Sequence, residues 1–254
     1  MRRPAVGGFA LSAVFLLGGC SLVGTRHPAA AAPEQSRSPL PRAGRAQIQP
    51  ASPPEDVTYP DAGPATWQVA GVHGPVAGRA GTLLRFHVAV EEGIAGVAPD
   101  EFARAVTATL SDPRSWTGGG RWRLELTAAG EPADFTIYLV TPATRDKLCR
   151  DGYDRYTSCR SGNSVVLNVA RWVHGVPHYD ARLDEYRQYM VNHEMGHRLG
   201  HGHEKCPGQG LPAPVMQQQT LGLHGCVANE WPYLNGVDYH GPIGAYRDPV
   251  PPAA

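Results

Sequence analysis

The sequence has little of what marks several common protein classes. Its 254 residues include only two lysines, Lys147 and Lys205, and its 23 basic residues are balanced by 23 acidic ones. A dedicated nucleic-acid-binding protein carries a basic excess, so we expect no nucleic-acid partner. The chain also has no internal repeat and no CxxC pair, which argues against a repeat array, a zinc ribbon and a thioredoxin-like site. Beyond the N-terminal segment, no run is apolar enough to span a membrane.

The N-terminal segment has the pattern of an export signal. Two arginines precede a short apolar run over 5–17, and the segment ends in Leu-Gly-Gly-Cys at Cys20. A charged start, a short apolar run and small residues before a cleavage point are typical of a secretory signal peptide. The ending resembles the lipobox of bacterial lipoproteins, which implies that residues 1–19 are removed and Cys20 carries the lipid. The implied location is the outer face of the cytoplasmic membrane, with a secreted protein as the alternative.

Proline and glycine are unevenly distributed along the chain. The sequence has 24 prolines and 30 glycines, and eight of the prolines fall between positions 21 and 60. Such a stretch buries too little apolar surface to offset its ordering entropy. We therefore predict a lipid-anchored disordered linker over 20–62, a folded domain over 63–240 and a flexible tail over 241–254.

Hydrophobic periodicity in the folded region predicts strands interleaved with two helices. Strands are indicated by alternating or short apolar runs, and helices by apolar residues three and four apart. This mixture predicts the α+β class, with a mixed twisted sheet, a backing helix, an active-site helix and a loop-rich C-terminal part. The predicted strands are 84–90, 122–126, 135–140 and 164–169, and the predicted helices are 99–110 and 180–199.

Four cysteines remain after Cys20, an even number that suits an oxidising compartment. Four cysteines allow three pairings. We favour the local pairs Cys149–Cys159 and Cys206–Cys226, because each of them brackets a single loop.

The second predicted helix carries the motif that points to chemistry. His193-Glu194-Met195-Gly196-His197 is an HExxH pattern, and its two histidines fall one helical turn apart on one face. The pattern continues through Gly200 to His203, which completes HExxHxxGxxH. We expect the helix to stop at Gly200 and the chain to turn there with a positive φ, which brings His203 back as a third ligand.

The extended motif resembles the signature of the metzincin clan of zinc peptidases, which a Met-turn follows. Pro214-Val215-Met216-Gln217 fits that turn. The resemblance implies that the Met216 side chain lies beneath the zinc ligands as a hydrophobic floor. The resemblance implies one catalytic zinc held by His193, His197 and His203. The astacin and serralysin types have a Tyr where this chain has Gln218, so they are disfavoured. Residues 164–226 also look like a little-characterised family of exported actinobacterial metzincin-like lipoproteins.

These residues predict a zinc endopeptidase. Zinc would lower the pKa of a water molecule and polarise the scissile carbonyl, while Glu194 would act as general base. The partners expected are a protein or peptide substrate and, through the lipid anchor, the membrane; we expect a monomer. A hydrolase of cell-wall peptides or other amides, and a catalytically silent zinc-stabilised binding lipoprotein, are the alternatives. His224, Tyr233 and Tyr239 could steady an oxyanion, or could serve only in packing.

Overall fold

The computed structural model describes residues 57–252. The predicted signal peptide, Cys20 and the linker up to residue 56 lie outside the described residues, as do the last two residues of the chain. Within 57–252, no helix combines the length and the apolar character needed to cross a membrane.

Strands and helices alternate through the first two thirds of the described region. The strands are β1 (Trp67–Val69), β2 (Thr82–Glu91), β3 (Trp122–Leu126), β4 (Phe135–Val140), β5 (Cys159–Ser161), β6 (Ser164–Asn168), β7 (Tyr233–Leu234) and β8 (Val237–Asp238). The helices are α1 (Pro99–Ser111), α2 (Pro142–Cys149), α3 (Val169–His174) and α4 (Leu183–Arg198), and a 3₁₀ turn covers Trp116–Gly119.

Six of the strands form one mixed sheet in the order β1-β2-β4-β6-β5, and β3 pairs with β2 beside this path. The central pairs β2–β3, β2–β4 and β4–β6 are parallel, whereas β1 and β5 run antiparallel to their neighbours. β7 and β8 form a separate antiparallel pair. The predicted α+β class and mixed sheet are confirmed.

Helices α1 and α4 cover the sheet and pack against each other. α1 lies on β2 and β3, and α4 lies on β5 and β6. α1 begins at Pro99, where the fixed φ of proline suits the first helical position. Its side chains at Phe102, Val106 and Leu110 are buried, as their spacing of four residues predicts. The hydrophobic core therefore lies between this helical layer and the sheet.

The strongly periodic elements match their predictions closely, and the short ones were not predicted. β3 and β4 have the predicted bounds, and β2, β6, α1 and α4 differ from theirs by at most three residues at either end. α2, α3, β1 and β5 have three to eight residues each, too few for a clear hydrophobic period.

The fold extends beyond the predicted domain at both ends. Val57 and Tyr59 pack against the core, and Thr58 forms a bridge with Ala95. At the other end, residues 241–252 are described and Gly244 donates a hydrogen bond to the His203 carbonyl. The folded region is therefore wider than the predicted 63–240.

A buried carboxylate links the loop that precedes β1 to the start of α2. Glu91, the last residue of β2, is 1% exposed. It accepts hydrogen bonds from the backbone N–H groups of Ala65 (2.9 Å) and Thr141 (2.8 Å) and from the Thr144 hydroxyl (2.6 Å). Hydrogen bonds of this kind satisfy a charge that would otherwise be costly to bury.

Candidate metal centre

α4 presents three residues of the motif to one cleft and then ends as expected. Its first turn is capped by Glu185, whose carboxylate accepts from the Arg182 N–H at 2.8 Å. His193, Glu194 and His197 lie in its last two turns. Gly200 has a φ of 95°, which confirms the predicted turn through the left-handed region. This turn directs the chain back toward the helix, and His203 arrives beside the other two histidines.

The three imidazoles lie close enough to bind one ion. Their ligand atoms all lie within 4.8 Å of one another, and the Nε2 atoms of His197 and His203 are 3.1 Å apart. The ring centroids are 4.6 to 5.5 Å apart. Imidazole nitrogens are common ligands of zinc and other transition metals. The histidine triad could therefore hold a metal ion.

Backbone carbonyls fix the orientation of two ligands. His193 Nδ1 lies 2.8 Å from the Val215 oxygen, and His197 Nδ1 lies 2.9 Å from the His201 oxygen. A carbonyl oxygen only accepts, so each Nδ1 carries the proton and each Nε2 presents a lone pair. A metal-binding histidine is held in this way when its second nitrogen donates to the protein. The lone pairs are thus available for a cation.

Burial keeps the ligands neutral at physiological pH. It lowers the pKa of His193 well below its ordinary range and that of His197 to a smaller extent. Burial, together with the neighbouring His197, lowers the pKa of His203 to about 4. Because a metal binds only the deprotonated imidazole, the triad can accept a cation near pH 7 without first losing protons.

Glu194 is a buried acid inside the same cleft. It is 5% exposed, and burial raises its pKa to about 8, against a smaller opposing effect of the Arg145 guanidinium. Its Oε2 has no hydrogen-bond partner within residues 57–252. A buried carboxyl oxygen without a partner is uncommon and points to a ligand or a reacting group. A cation in the triad would lower the pKa of this carboxyl by its charge.

The turn over 214–217 contacts the segments that carry the triad. The Gln217 N–H donates to the Pro214 oxygen at 2.9 Å, which closes the turn, and Met216 is 1% exposed. The Met216 side chain packs against α4 at Gly196, where a β-carbon would overlap its sulfur. The Met216 oxygen also accepts from the Glu204 N–H at 3.1 Å. Through Val215 and Met216, this turn contacts the segments that carry the first and third ligands.

Side chains hold the loops around this turn. The disulfide Cys206–Cys226 brackets it, as predicted, and the second predicted pair, Cys149–Cys159, is also present. Gln219 is fully buried and bonds through its amide to the oxygens of Pro214 (3.2 Å) and Asn229 (2.7 Å). These contacts replace the hydrogen bonds that a helix or strand would supply.

A cleft of about 330 Å³ opens over the triad, and one of its walls is charged. Arg145 of α2 is 1% exposed and makes a bidentate pair with Asp151 at 2.6 and 2.8 Å. A second carboxylate, Asp154, lies 3.0 Å from the same guanidinium. The Cys149–Cys159 disulfide closes the loop that carries both aspartates. A buried guanidinium requires paired charges, and the ion pairs of Arg145 hold the loop that carries the two aspartates as a wall of the cleft.

The edge strand β5 forms another part of the cleft. Its Arg160 donates from Nε (3.2 Å) and Nη2 (3.0 Å) to the His197 oxygen, which fastens the end of α4 to the sheet. Arg145, Asp151, Asp154 and Arg160 were not predicted as site residues. A charge-rich stretch between two cysteines was the visible signal, but nothing in its spacing indicated a cleft.

Other polar candidates have partners away from the triad. The His201 ring packs against Trp116 with centroids 4.3 Å apart and planes tilted by 32°, and the Tyr239 hydroxyl donates to the Pro212 oxygen at 2.8 Å. His224 pairs with Asp248 at 2.8 Å. His224, Tyr233 and Tyr239 do not line the cleft, so the structure gives no support to an oxyanion role for them.

The comparisons with known proteins give a family and no activity. No curated protein and no solved structure matched the chain. One family matches residues 53–231, a range that includes the triad, Glu194 and the turn at Met216. This range covers well over half of the 254 residues. The chain belongs to the family described as "Protein of unknown function (DUF3152)".

Proposed function

We propose that the protein is a zinc-dependent hydrolase that cleaves peptide bonds. The observation that carries this proposal is the juxtaposition of three convergent imidazoles with a buried carboxyl that has an unpartnered oxygen. A purely structural zinc site is usually closed by four protein ligands, whereas a catalytic site has three and an open position. The triad faces a cleft, which favours the catalytic arrangement.

The donor set favours a transition metal such as zinc over magnesium or calcium. The donors are three nitrogens, whereas magnesium and calcium prefer oxygen ligands. His193, His197 and His203 would hold the ion, and Val215 and His201 would keep two of the rings in place. A zinc ion bound there would lower the pKa of a water molecule and polarise a carbonyl group.

Glu194 would move the proton. The carboxyl lies next to the first ligand, and its unpartnered Oε2 is free to accept from a water molecule in the cleft. Once the carboxyl is protonated, it can pass the proton to the leaving amine, as a general acid does. Burial raises the pKa of Glu194, whereas a cation in the triad would lower it, so these two opposing effects would let the carboxyl both accept and release a proton near neutral pH.

The shape of the cleft favours an extended peptide as substrate. β5 lies at the edge of the sheet and contributes Cys159 and Arg160 to the lining. The edge of a strand offers backbone groups to which an extended peptide can add as a further strand. The turn at Met216 and the positive φ at Gly200 support the resemblance of the motif to the metzincins, and we include a metzincin-like fold in the proposal.

Location outside the cytoplasm is part of the same proposal. The pattern that ends at Cys20 supports export and lipid anchoring, and the two disulfides suit an oxidising compartment. The partners would be a protein or peptide substrate and the membrane surface. Labelling of expressed protein with a radioactive fatty acid, compared between the wild type and Cys20→Ala, tests the anchor.

The experiment that tests the function compares the wild type with Glu194→Gln. We expect the wild type to bind one zinc ion per chain and to cleave sites in a random peptide library. Glu194→Gln should keep the zinc and lose about a hundredfold to ten-thousandfold in cleavage, because general-base catalysis is worth roughly 10²–10⁴. Glu101→Gln, an exposed acid on α1, is the matched control and should retain full activity.

Two outcomes would contradict the proposal in different ways. If Glu194→Gln cleaves peptides as fast as the wild type, the carboxyl is not the base. If both proteins bind zinc tightly and neither cleaves any peptide or cell-wall fragment, the site belongs to a zinc-stabilised binding protein.

A further inference from the structure

The segment 241–250, here named the C-terminal strap, pairs with the segment that carries the third ligand. Ile243 forms an antiparallel bridge with Glu204, the residue that follows His203. The Gly244 N–H donates to the His203 oxygen at 2.9 Å, and the Lys205 N–H donates to the Pro242 oxygen at 2.8 Å. The strap is therefore part of the metal centre's framework, although the sequence predicted a flexible tail there.

The start of the strap is held by a close backbone approach. A β-carbon at Gly241 would overlap the Lys205 oxygen and lie 2.6 Å from Pro214 Cγ. The Gly241 N–H also donates to the Glu204 carboxylate at 2.9 Å. Only a residue without a side chain allows this contact, so the path of the strap is fixed at this point.

A second anchor holds the strap five to seven residues later. Tyr246 stacks on His224, with ring centroids 3.5 Å apart and planes 13° apart. The Lys205 ammonium lies 5.4 Å from the centre of the same tyrosine ring. Asp248 then pairs with His224 at 2.8 Å. These contacts keep the chain up to residue 248 against the loop that the Cys206–Cys226 disulfide closes.

The strap then reaches the cleft. Val250 lines it, together with the histidine triad and Leu221. Leu221 and Val250 are the aliphatic side chains among the described lining residues, and most of the others are polar or charged. Val250 is 42% exposed, so part of its surface is available to a bound molecule. Contact with an apolar group would remove this surface from water, which is favourable.

We propose that Leu221 and Val250 form an apolar subsite, walled by the C-terminal strap, that selects an aliphatic side chain of the bound peptide. This inference rests on the proposed function and adds a substrate preference to it. Leu221 lies within the family match, whereas Val250 lies beyond residue 231, where the match ends. Arg145, Asp151 and Asp154 form a charged part of the same cleft, which gives the site two chemically distinct sides.

The test measures binding without turnover. The probes are the hydroxamates of acetyl-leucine and acetyl-asparagine, which chelate zinc equally and carry side chains of similar shape. We expect the zinc-loaded full chain to bind the leucine probe about tenfold more tightly, a ratio that corresponds to about 1.4 kcal/mol. Val250→Asp should abolish this preference. Ile243→Asp, on the same strap but 91% exposed and away from the cleft, is the matched control and should keep it.

A third variant tests whether the strap must be anchored. Tyr246→Ala removes the stack on His224, so it should reduce the preference in the same way as Val250→Asp, with zinc content unchanged. Equal binding of both probes to the wild type, or the same response from Val250→Asp and Ile243→Asp, would overturn the subsite. Tighter binding of both probes by Tyr246→Ala would also overturn it, because the strap would then be a cover over the cleft.

Failure of the subsite and failure of the proposed function give different results. A wild type that prefers the leucine probe but cleaves no peptide contradicts the peptidase and leaves the subsite standing. A wild type that cleaves peptides but binds both probes equally contradicts the subsite alone.

Discussion

Gly196 offers a sharp test of how the turn at Met216 supports the metal centre. It precedes the ligand His197 on α4, and a β-carbon there would overlap the Met216 sulfur and lie 2.7 Å from Trp116 Cζ2. Met216 and Trp116 are 1% and 3% exposed, so neither side chain can move into solvent. We therefore predict that Gly196→Ala destabilises the protein, although alanine is the better helix former.

The size of the effect follows from two opposing contributions. Alanine gains about 1 kcal/mol over glycine within a helix. Overpacking of a buried site costs about 1–3 kcal/mol, and a contact this short belongs at the upper end. The expected net loss is about 1–2 kcal/mol in the free energy of unfolding. In a Met216→Ala background the overlap with sulfur disappears and Trp116 can shift into the space that the methionine leaves, so the same Gly196→Ala change should be close to neutral. The coupling between the two positions should therefore be about 1–2 kcal/mol.

The assay is a double-mutant cycle measured by urea unfolding with a metal chelator present. Gly71→Ala serves as the control for a glycine-to-alanine change without a contact, because a β-carbon at Gly71 meets nothing within 4 Å. The reasoning would be refuted if Gly196→Ala were as stable as the wild type. A coupling below about 0.5 kcal/mol would refute it equally, since distant sites add within that limit.

Three further predictions concern other parts of the molecule. With metal removed, burial keeps Glu194 protonated in the native state while the unfolded carboxyl ionises. The Glu194 contribution to the free energy of unfolding is therefore present below about pH 4.5 and lost as pH rises toward 8. In urea unfolding, the midpoint of Glu194→Gln relative to that of the wild type should therefore be higher at pH 8 than at pH 5. Glu91→Ala should cost about 3 kcal/mol in thermal or urea unfolding, because it leaves buried N–H groups unpaired. Replacement of Cys206 and Cys226 by serine should cost about 3 kcal/mol and weaken zinc affinity in a chelator competition.

The parts of the fold that the sequence predicted are those specified by local pattern. α1 is marked by Pro99 and by apolar residues four apart, and β4 by a six-residue run of β-branched, aromatic and leucine residues. The ligand positions follow from the helical period, and the turn at Gly200 follows from the need to reverse the chain. All of these depend on residues within about ten positions of one another.

The parts that were not predicted depend on distant contacts. α2 has eight residues and no strong apolar face, and it is held in place by Glu91, about fifty residues earlier. Arg145 is buried only because two aspartates of a disulfide-closed loop face it. The strap is held in place by contacts with His203 and His224, whereas its own content of glycine and proline predicts a flexible tail. Local composition carries no information about such partners.

The metal centre is organised by backbone atoms from segments far apart in the sequence, and this has a physical consequence. The Val215 and His201 oxygens orient two rings, the Met216 oxygen holds the N–H of Glu204, and the strap holds the His203 oxygen. Backbone partners are present whatever the neighbouring side chains are. If the triad binds a metal ion, as we propose, the fold has already oriented two of its rings, so that little binding energy would be consumed in ordering them.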